Sequence, residues 1–224
     1  MKNKFKIATF NLWKDEGKFP SRIYKIPEYL EKLDCICFQE DFSSEEFCSS
    51  DTINEVLQLE KTTLPIRKKD RNGVVSSSNL TILSKLKPNN IEKLIYDENG
   101  EDERGALLVE ITFNDKNILI VNTHLTNLDQ KKRIEQIYKI KNTLDKKEAD
   151  LIILCGDMNS LPSSEELQCI KRHGFIDYNN NPTYEEGLTL DYILSKGNFD
   201  YKVKSKIVVR NLSDHFCLQN SFKF

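Results

Sequence analysis

Apolar residues in this chain fall into short stretches, and most of those stretches run directly into a polar cluster. Residues 5–10 read as a strand ending at Asn11, and Asp34-Cys35-Ile36-Cys37-Phe38 as a second strand ending at Gln39-Glu40. Between them Ile23, Ile26, Leu30 and Leu33 follow 3-4-3 spacing, the stripe of an amphipathic helix. Residues 79–84, 106–111 and 117–121 are further strands, and the last runs into Asn122-Thr123-His124. Ile134, Ile137, Ile140 and Leu144 mark a long helix with lysines on its outer face. Leu151-Ile152-Ile153-Leu154 has no polar alternation, so it predicts a strand covered on both faces, ending in Gly156-Asp157-Met158-Asn159. Residues 190–194, 207–209 and 216–218 complete the strand set.

Turn and cap chemistry fills the gaps. Asn72-Gly73 predicts one hairpin and Asn114-Asp115 another, with an acidic loop over residues 97–104. Ser43-Ser44-Glu45-Glu46 has the composition of a helix start, with residues 57–63 leaving that region as loop. Ser163 and Glu166 stand at capping-box spacing, and Gly174 is placed to close that helix. Strands outnumber helices and no linker or repeat interrupts them. The expected fold class is therefore α+β, a mixed two-sheet sandwich with outer helices, in one domain over residues 1–224.

Composition narrows the class of protein. The 224 residues are 38% hydrophobic and 30% charged, enough for a core beneath a well-solvated surface. Thirty-three basic against 35 acidic side chains leave a net charge of -2, which argues against a strong nonspecific nucleic-acid binder. Residues 67–71 and the lysine-rich stretch 131–147 read as solvated surface first and as a local basic face second. No apolar run reaches the ~20 residues of a membrane span, and residues 7–10 are too short for an export signal core. A cytoplasmic monomer without a membrane partner is expected. The six cysteines lack zinc-type spacing and mostly sit in apolar segments, as reduced core thiols do; Cys35 and Cys37 alternate with Ile36.

The polar strand ends supply candidate chemistry. Asn11, Glu40, Asp157 and Asp214 offer hard oxygens, which select Mg²⁺, Mn²⁺ or Ca²⁺ over softer ions. Each alone reads as an ordinary turn or surface residue. His215, after Ser213-Asp214, gains a functional reading if a carboxylate holds its ring, and Asp191, set between Leu190 and Tyr192, is the candidate partner. Asp157 and Asn159 fall on one side of an extended chain, where Asp157 could orient water and Asn159 assist. Trp13 fits base stacking or packing near the site equally well.

Taken together, Thr9-Phe10-Asn11, Phe38-Gln39-Glu40, Asn122-Thr123-His124-Leu125, Gly156-Asp157-Met158-Asn159, Leu190-Asp191-Tyr192-Ile193 and Ser213-Asp214-His215 resemble, in order, the motifs of the endonuclease/exonuclease/phosphatase (DNase I-like) superfamily. The resemblance implies a four-layer α/β/β/α sandwich with the site at one edge of the paired sheets. It implies Glu40 as main metal ligand with Asn11 and Asp214 nearby, and Mg²⁺, or Mn²⁺, as the ion. Asp157 would orient the nucleophilic water with Asn159 assisting, while His124 and the Asp191-paired His215 contact the scissile phosphate. Arg133 with Gln136, and Arg104-Gly105-Ala106, are softer matches with packing roles.

The implied activity is metal-dependent hydrolysis of a phosphodiester, nucleic acid first, of nuclease or DNA-repair type. Two alternatives stand beside it. One is a phosphomonoesterase on a small molecule such as an inositol phosphate, and the other a noncatalytic binding module on the same scaffold.

Overall fold

The computed structural model describes residues 4–71, 74–96 and 104–224. In chain order the strands and helices are β1 (Lys4–Asn11), α1 (Pro27–Leu30), β2 (Cys35–Ser44), α2 (Ser49–Leu57), β3 (Glu60–Arg71), β4 (Val74–Ser84), β5 (Asn90–Ile95) and β6 (Gly105–Phe113). They continue as β7 (Lys116–His124), α3 (Gln130–Leu144), β8 (Leu151–Asp157), α4 (Glu165–Arg172), β9 (Ile176–Asp177), β10 (Asp191–Gly197), β11 (Lys202–Val209) and β12 (Cys217–Lys223). Two six-stranded sheets result, ordered β11-β12-β1-β2-β4-β3 and β5-β6-β7-β8-β10-β9.

Period-two alternation explains why the central strands are apolar throughout. On β1, Phe5 and Ile7 enter the core between the sheets, while Ala8 and Phe10 face outward to a second cluster with Ile23, Ile26, Leu30 and Ile53. On β8, Ile153 and Cys155 face inward, whereas Ile152 and Leu154 meet Ile137, Ile140, Leu167 and Ile170 of α3 and α4. Three apolar layers separate four structural layers, the sandwich expected. Each Leu or Ile buried there contributes about 1.5–3 kcal/mol. All six cysteines are free, with Cys35 and Cys37 together in the inter-sheet core. Among the described residues, no helix is long and apolar enough to cross a membrane.

Several local expectations change. The 3-4-3 stripe does not make one helix: it splits into a 3-10 turn, Ile23–Lys25, and the single turn α1, because Pro27 at the first helical position cannot donate to a preceding turn. The stripe still buries on the first sheet. Residues 43–44 belong to β2, not a helix start, and pair with Ser77 and Ser76. Helix α2 begins at Ser49, where the Asp41 carboxylate accepts the Ser50 amide at 2.9 Å. Residues 60–63, expected as loop, open β3.

The Ser163–Glu166 capping box does not form; Ser164 precedes α4 without a side-chain cap, and Glu166 pairs with Arg133 instead. Gly174 does close α4, at φ +87°. Asn114 and Asp115, at φ 48° and 60°, make the second hairpin turn, while the Asn72-Gly73 turn and residues 1–3 and 97–103 lie outside the described residues.

Candidate active site

Topology brings the polar clusters to one edge. β1 and β2 run parallel, as do β7 and β8, so Asn11, His124 and Asp157 lie where β1, β7 and β8 finish, and Glu40 lies level with them at a break in the pairing within β2. β10 runs antiparallel to β8 and β12 antiparallel to β1, so Asp191 and the Ser213–His215 segment lie where those strands start. The eight residues named from the sequence thereby meet, and Asn11, Glu40, His124, Asp157, Asn159, Asp214 and His215 line one cleft of 410 Å³.

Two backbone devices aim the side chains. The β2–β4 register shifts between Phe38 and Asp41, so Gln39 and Glu40 form a bulge, and Glu40 takes φ 51°. Gln39 turns into the core and donates to Asn122 Oδ1 across the sheets at 2.7 Å. On the facing sheet Gly156 holds φ 134° beside β7, where a Cβ would stand 1.8 Å from the Thr123 carbonyl oxygen; no other residue fits there. Asn159, at φ 46°, is a second non-glycine in the left-handed region, a strain that persists where surrounding contacts enforce it.

Asp157 is the hub. Its Oδ2 accepts from Asn11 Nδ2 at 3.0 Å and lies 3.3 Å from His124 Nε2 and 3.7 Å from His215 Nε2, while Oδ1 accepts the Asn159 amide at 2.9 Å. Burial pushes this carboxyl up, but His124, His215 and the Asn159 N–H outweigh it and hold it far below the usual carboxylate range. His215 Nδ1 donates to Asp191 Oδ2 at 2.8 Å. Burial disfavours its charge, yet Asp191, Asp157 and Asp214 raise the imidazole to about 10, so it is an imidazolium at neutral pH. His124 moves the other way, lowered by burial and by the Arg104 charge.

The oxygen donors differ in what already engages them. Burial raises Glu40, but His124, Lys14 and Arg104 outweigh it, and Lys14 Nζ stands 3.0 Å from Oε1. Asp214 is raised by burial and further by the Glu40 charge, so the two carboxylates oppose each other within coulombic reach. Asn11 Oδ1 accepts the Trp13 amide at 2.9 Å and keeps a second lone pair. These hard oxygens, two of them on carboxylates close enough to repel each other, fit a divalent cation, which would take over from Lys14 as the partner of Glu40. Ligand atoms of Asp157, Asp191 and His215 also lie within 4.8 Å of one another. Their mutual bonding makes them a proton network in which the imidazolium is the cation.

Four residues of the site escape sequence reading. Arg104, expected to pack, lines the cleft and acts on both His124 and Glu40. Lys14 sits three residues past Asn11, a closeness that could have flagged it. Tyr184 stacks edge-on against His215 at 4.9 Å and carries no sequence signal, while Arg67 lines the cleft from the basic stretch 67–71, which reads from the sequence as solvated surface first. Trp13 lines the cleft with the Arg22 guanidinium 5.8 Å over its ring. The Arg133 and Gln136 packing roles hold: Arg133 Nε donates to Glu166 at 2.6 Å, and Gln136 accepts the Thr126 amide at 2.9 Å.

An endonuclease/exonuclease/phosphatase from Beutenbergia cavernae superposes with a TM-score of 0.83 at 14% identity, covering 100% of this chain and 72% of that one. A mannosyl-6-phosphatase from Bacteroides thetaiotaomicron superposes at 0.73 with 17% identity, covering 98% and 100%. A D. rerio TDP2 humanised by 14 mutations gives 0.73 at 15% identity, covering 99% and 100%. These likenesses speak to the fold. No curated protein sequence matches. The sequence profile of the Endonuclease/Exonuclease/phosphatase family aligns with residues 8–215, from the first site strand through His215, and the chain belongs to that family.

Proposed function

We propose that this chain is a divalent-metal-dependent phosphodiesterase that cleaves its substrate by in-line attack of water, with nucleic acid as the substrate class. One observation carries the reading: a carboxylate held ionised, Asp157, lies 3.7 Å from an imidazole held protonated, His215, and both line the same cleft. Such a pair does two jobs at once. Asp157 orients the attacking water as a fixed anionic acceptor of its hydrogen bond, assisted by Asn159, whose amide is fixed by Leu125 O at 2.9 Å. The His215 imidazolium donates to the phosphate oxygen on which charge develops, and Asp191 keeps its Nε2 aimed there. His124 lies on the same side of Asp157 and contacts the phosphate. Glu40, with Asn11 and Asp214, would hold Mg²⁺ or Mn²⁺. When bound, the ion neutralises phosphate charge.

A second reading, a phosphomonoesterase on a small molecule, is favoured by the near-neutral net charge of -2 and by the likeness to a mannosyl-6-phosphatase. A substrate panel separates the two. Purified protein with Mg²⁺ or Mn²⁺ is offered bis(p-nitrophenyl) phosphate, single-stranded DNA, abasic duplex, 5′-tyrosyl DNA, RNA, sugar phosphates and inositol phosphates, with a chelator control. Diester cleavage that stops on chelation is the expected result. Cleavage of monoesters alone selects the second reading, and no turnover with any metal leaves a binding module.

A further inference from the structure

The catalytic cleft does not end at Glu40. A second cavity of 180 Å³ adjoins it and shares Lys14, Glu16 and Arg67 with it. Its remaining walls are Asp15, Phe42, Lys69 and the hydroxyl run Ser76, Ser77 and Ser78. Nothing in the chemistry described above uses this space.

Arg67 is the residue on which the two cavities turn. The β3–β4 register slips between Ile66, opposite Ser78, and Lys68, opposite Ser77, which leaves Arg67 as the extra residue of a bulge facing those serines. Its φ of 49° is in the left-handed region, where a glycine would sit without strain. An arginine there is costly for the fold and re-aims a guanidinium at the partition between the cavities. Asp15 and Glu16 stand on the loop side, within coulombic reach of the buried Arg22 guanidinium, and Lys14 answers Glu40. The arginine fork therefore shares a polar space with the serine run and Lys69; the Ser77 hydroxyl is already committed to Asn79 Oδ1 at 2.9 Å, and its neighbours Ser76 and Ser78 point to the other face of β4.

We infer that this side cavity is a subsite for a second phosphate of the substrate, with Arg67 as the specificity-determining residue that grips it. The inference rests on the phosphodiesterase reading above and deepens it: the preferred substrate carries a further phosphate beside the scissile diester, as a nucleic-acid strand does. A guanidinium binds phosphate oxygens through charge-assisted hydrogen bonds, and a lysine at the same place supplies only a point charge.

The test uses matched esters that release p-nitrophenolate only when the scissile diester breaks. Thymidine 5′-(p-nitrophenyl phosphate) is compared with its 3′-phosphorylated form, and thymidine 3′-(p-nitrophenyl phosphate) with its 5′-phosphorylated form. In the unsubstituted protein the added phosphate raises kcat/KM at least about tenfold for one pair, the size of one charge-assisted contact. Arg67→Ala brings that ratio to within about twofold of unity, and Arg67→Lys retains part of it. Arg67→Gly loses the ratio too, yet raises the melting midpoint by about 2 °C as backbone strain is released. Equal rates within both pairs, or a preference that survives Arg67→Ala, overturns the subsite. Bis(p-nitrophenyl) phosphate, which has no second phosphate, is run alongside: if it too is untouched, the phosphodiesterase reading has failed and not the subsite alone.

Discussion

At the scale of single residues, the site is a set of charges each held away from its ordinary state by named neighbours. His215 illustrates the balance. It is buried, which disfavours its positive form, yet three carboxylates converge on it, and the nearest, Asp191, lies 2.8 Å from Nδ1. In the reaction proposed for this site, a proton already on His215 needs no delivery, and preorganised donors act most strongly as charge develops. His215→Ala is therefore expected to lower kcat by ~10²–10³ while KM changes little, since the contact strengthens as charge develops. Steady-state hydrolysis of bis(p-nitrophenyl) phosphate, with circular dichroism to check folding, makes the measurement. An unchanged kcat removes His215 from the chemistry.

At the scale of elements, strand ends need backbone exceptions to present side chains. The Gly156 position shows how tight these are, because its absent Cβ is replaced by the Thr123 carbonyl of the neighbouring strand. Gly156→Ala is expected to cost about 3 kcal/mol or more, by forcing β7 and β8 apart beside His124 and Asp157. A melting midpoint within a degree of the unsubstituted protein would refute it. The helices are pinned differently. Glu166 of α4, raised by burial, is brought below the usual carboxylate range by its own N–H, Gln130 and Arg133, with Arg133 Nε at 2.6 Å. A depressed carboxyl stabilises the fold above its unfolded pKa and loses that contribution as pH falls through the carboxylate range. Glu166→Gln should thus destabilise the fold near pH 7 by about 2–3 kcal/mol, with the gap to the unsubstituted protein narrowing only as pH falls below the ordinary glutamate value of 4.5 and on towards pH 2. A gap that stays constant over that range would assign Glu166 to packing.

Residues that bound apolar runs are legible, because buried strands have no polar alternation and their polar ends therefore stand out; Asn11, Glu40 and Asp157 close such runs, and His215 opens one. Tyr184 is not legible, and Arg67 shows only as part of the basic stretch 67–71, since its place at the cleft depends on a register shift that period-two patterning does not encode. The stripe from Ile23 to Leu33 predicted the buried face correctly and the helix incorrectly, because burial follows periodicity while Pro27 decides hydrogen bonding.

At the scale of the whole molecule, the site divides between the two sheets. Asn11, Glu40 and Asp214 belong to the first sheet or the turn entering it, while His124, Asp157 and Asp191 belong to the second. The bond from Asn11 Nδ2 to Asp157 Oδ2 and the pair of bonds joining Gln39, Asn122 and Phe38 O close the seam directly beneath the cleft. A ligand that draws Glu40 and Asp214 together acts on one sheet, yet its benefit is realised only while both sheets stay docked, so binding must appear as global stability. At a concentration one hundred times its dissociation constant, a cation bound only by the folded state adds about 2.7 kcal/mol. For a chain of this size that is a rise of roughly 5–10 °C in melting midpoint. Mg²⁺ or Mn²⁺ against chelator should produce such a rise in the unsubstituted protein and in His215→Ala, and little or none in Glu40→Ala. An equal rise in Glu40→Ala would move the cation away from the first sheet, and towards the Asp157, Asp191 and His215 cluster instead.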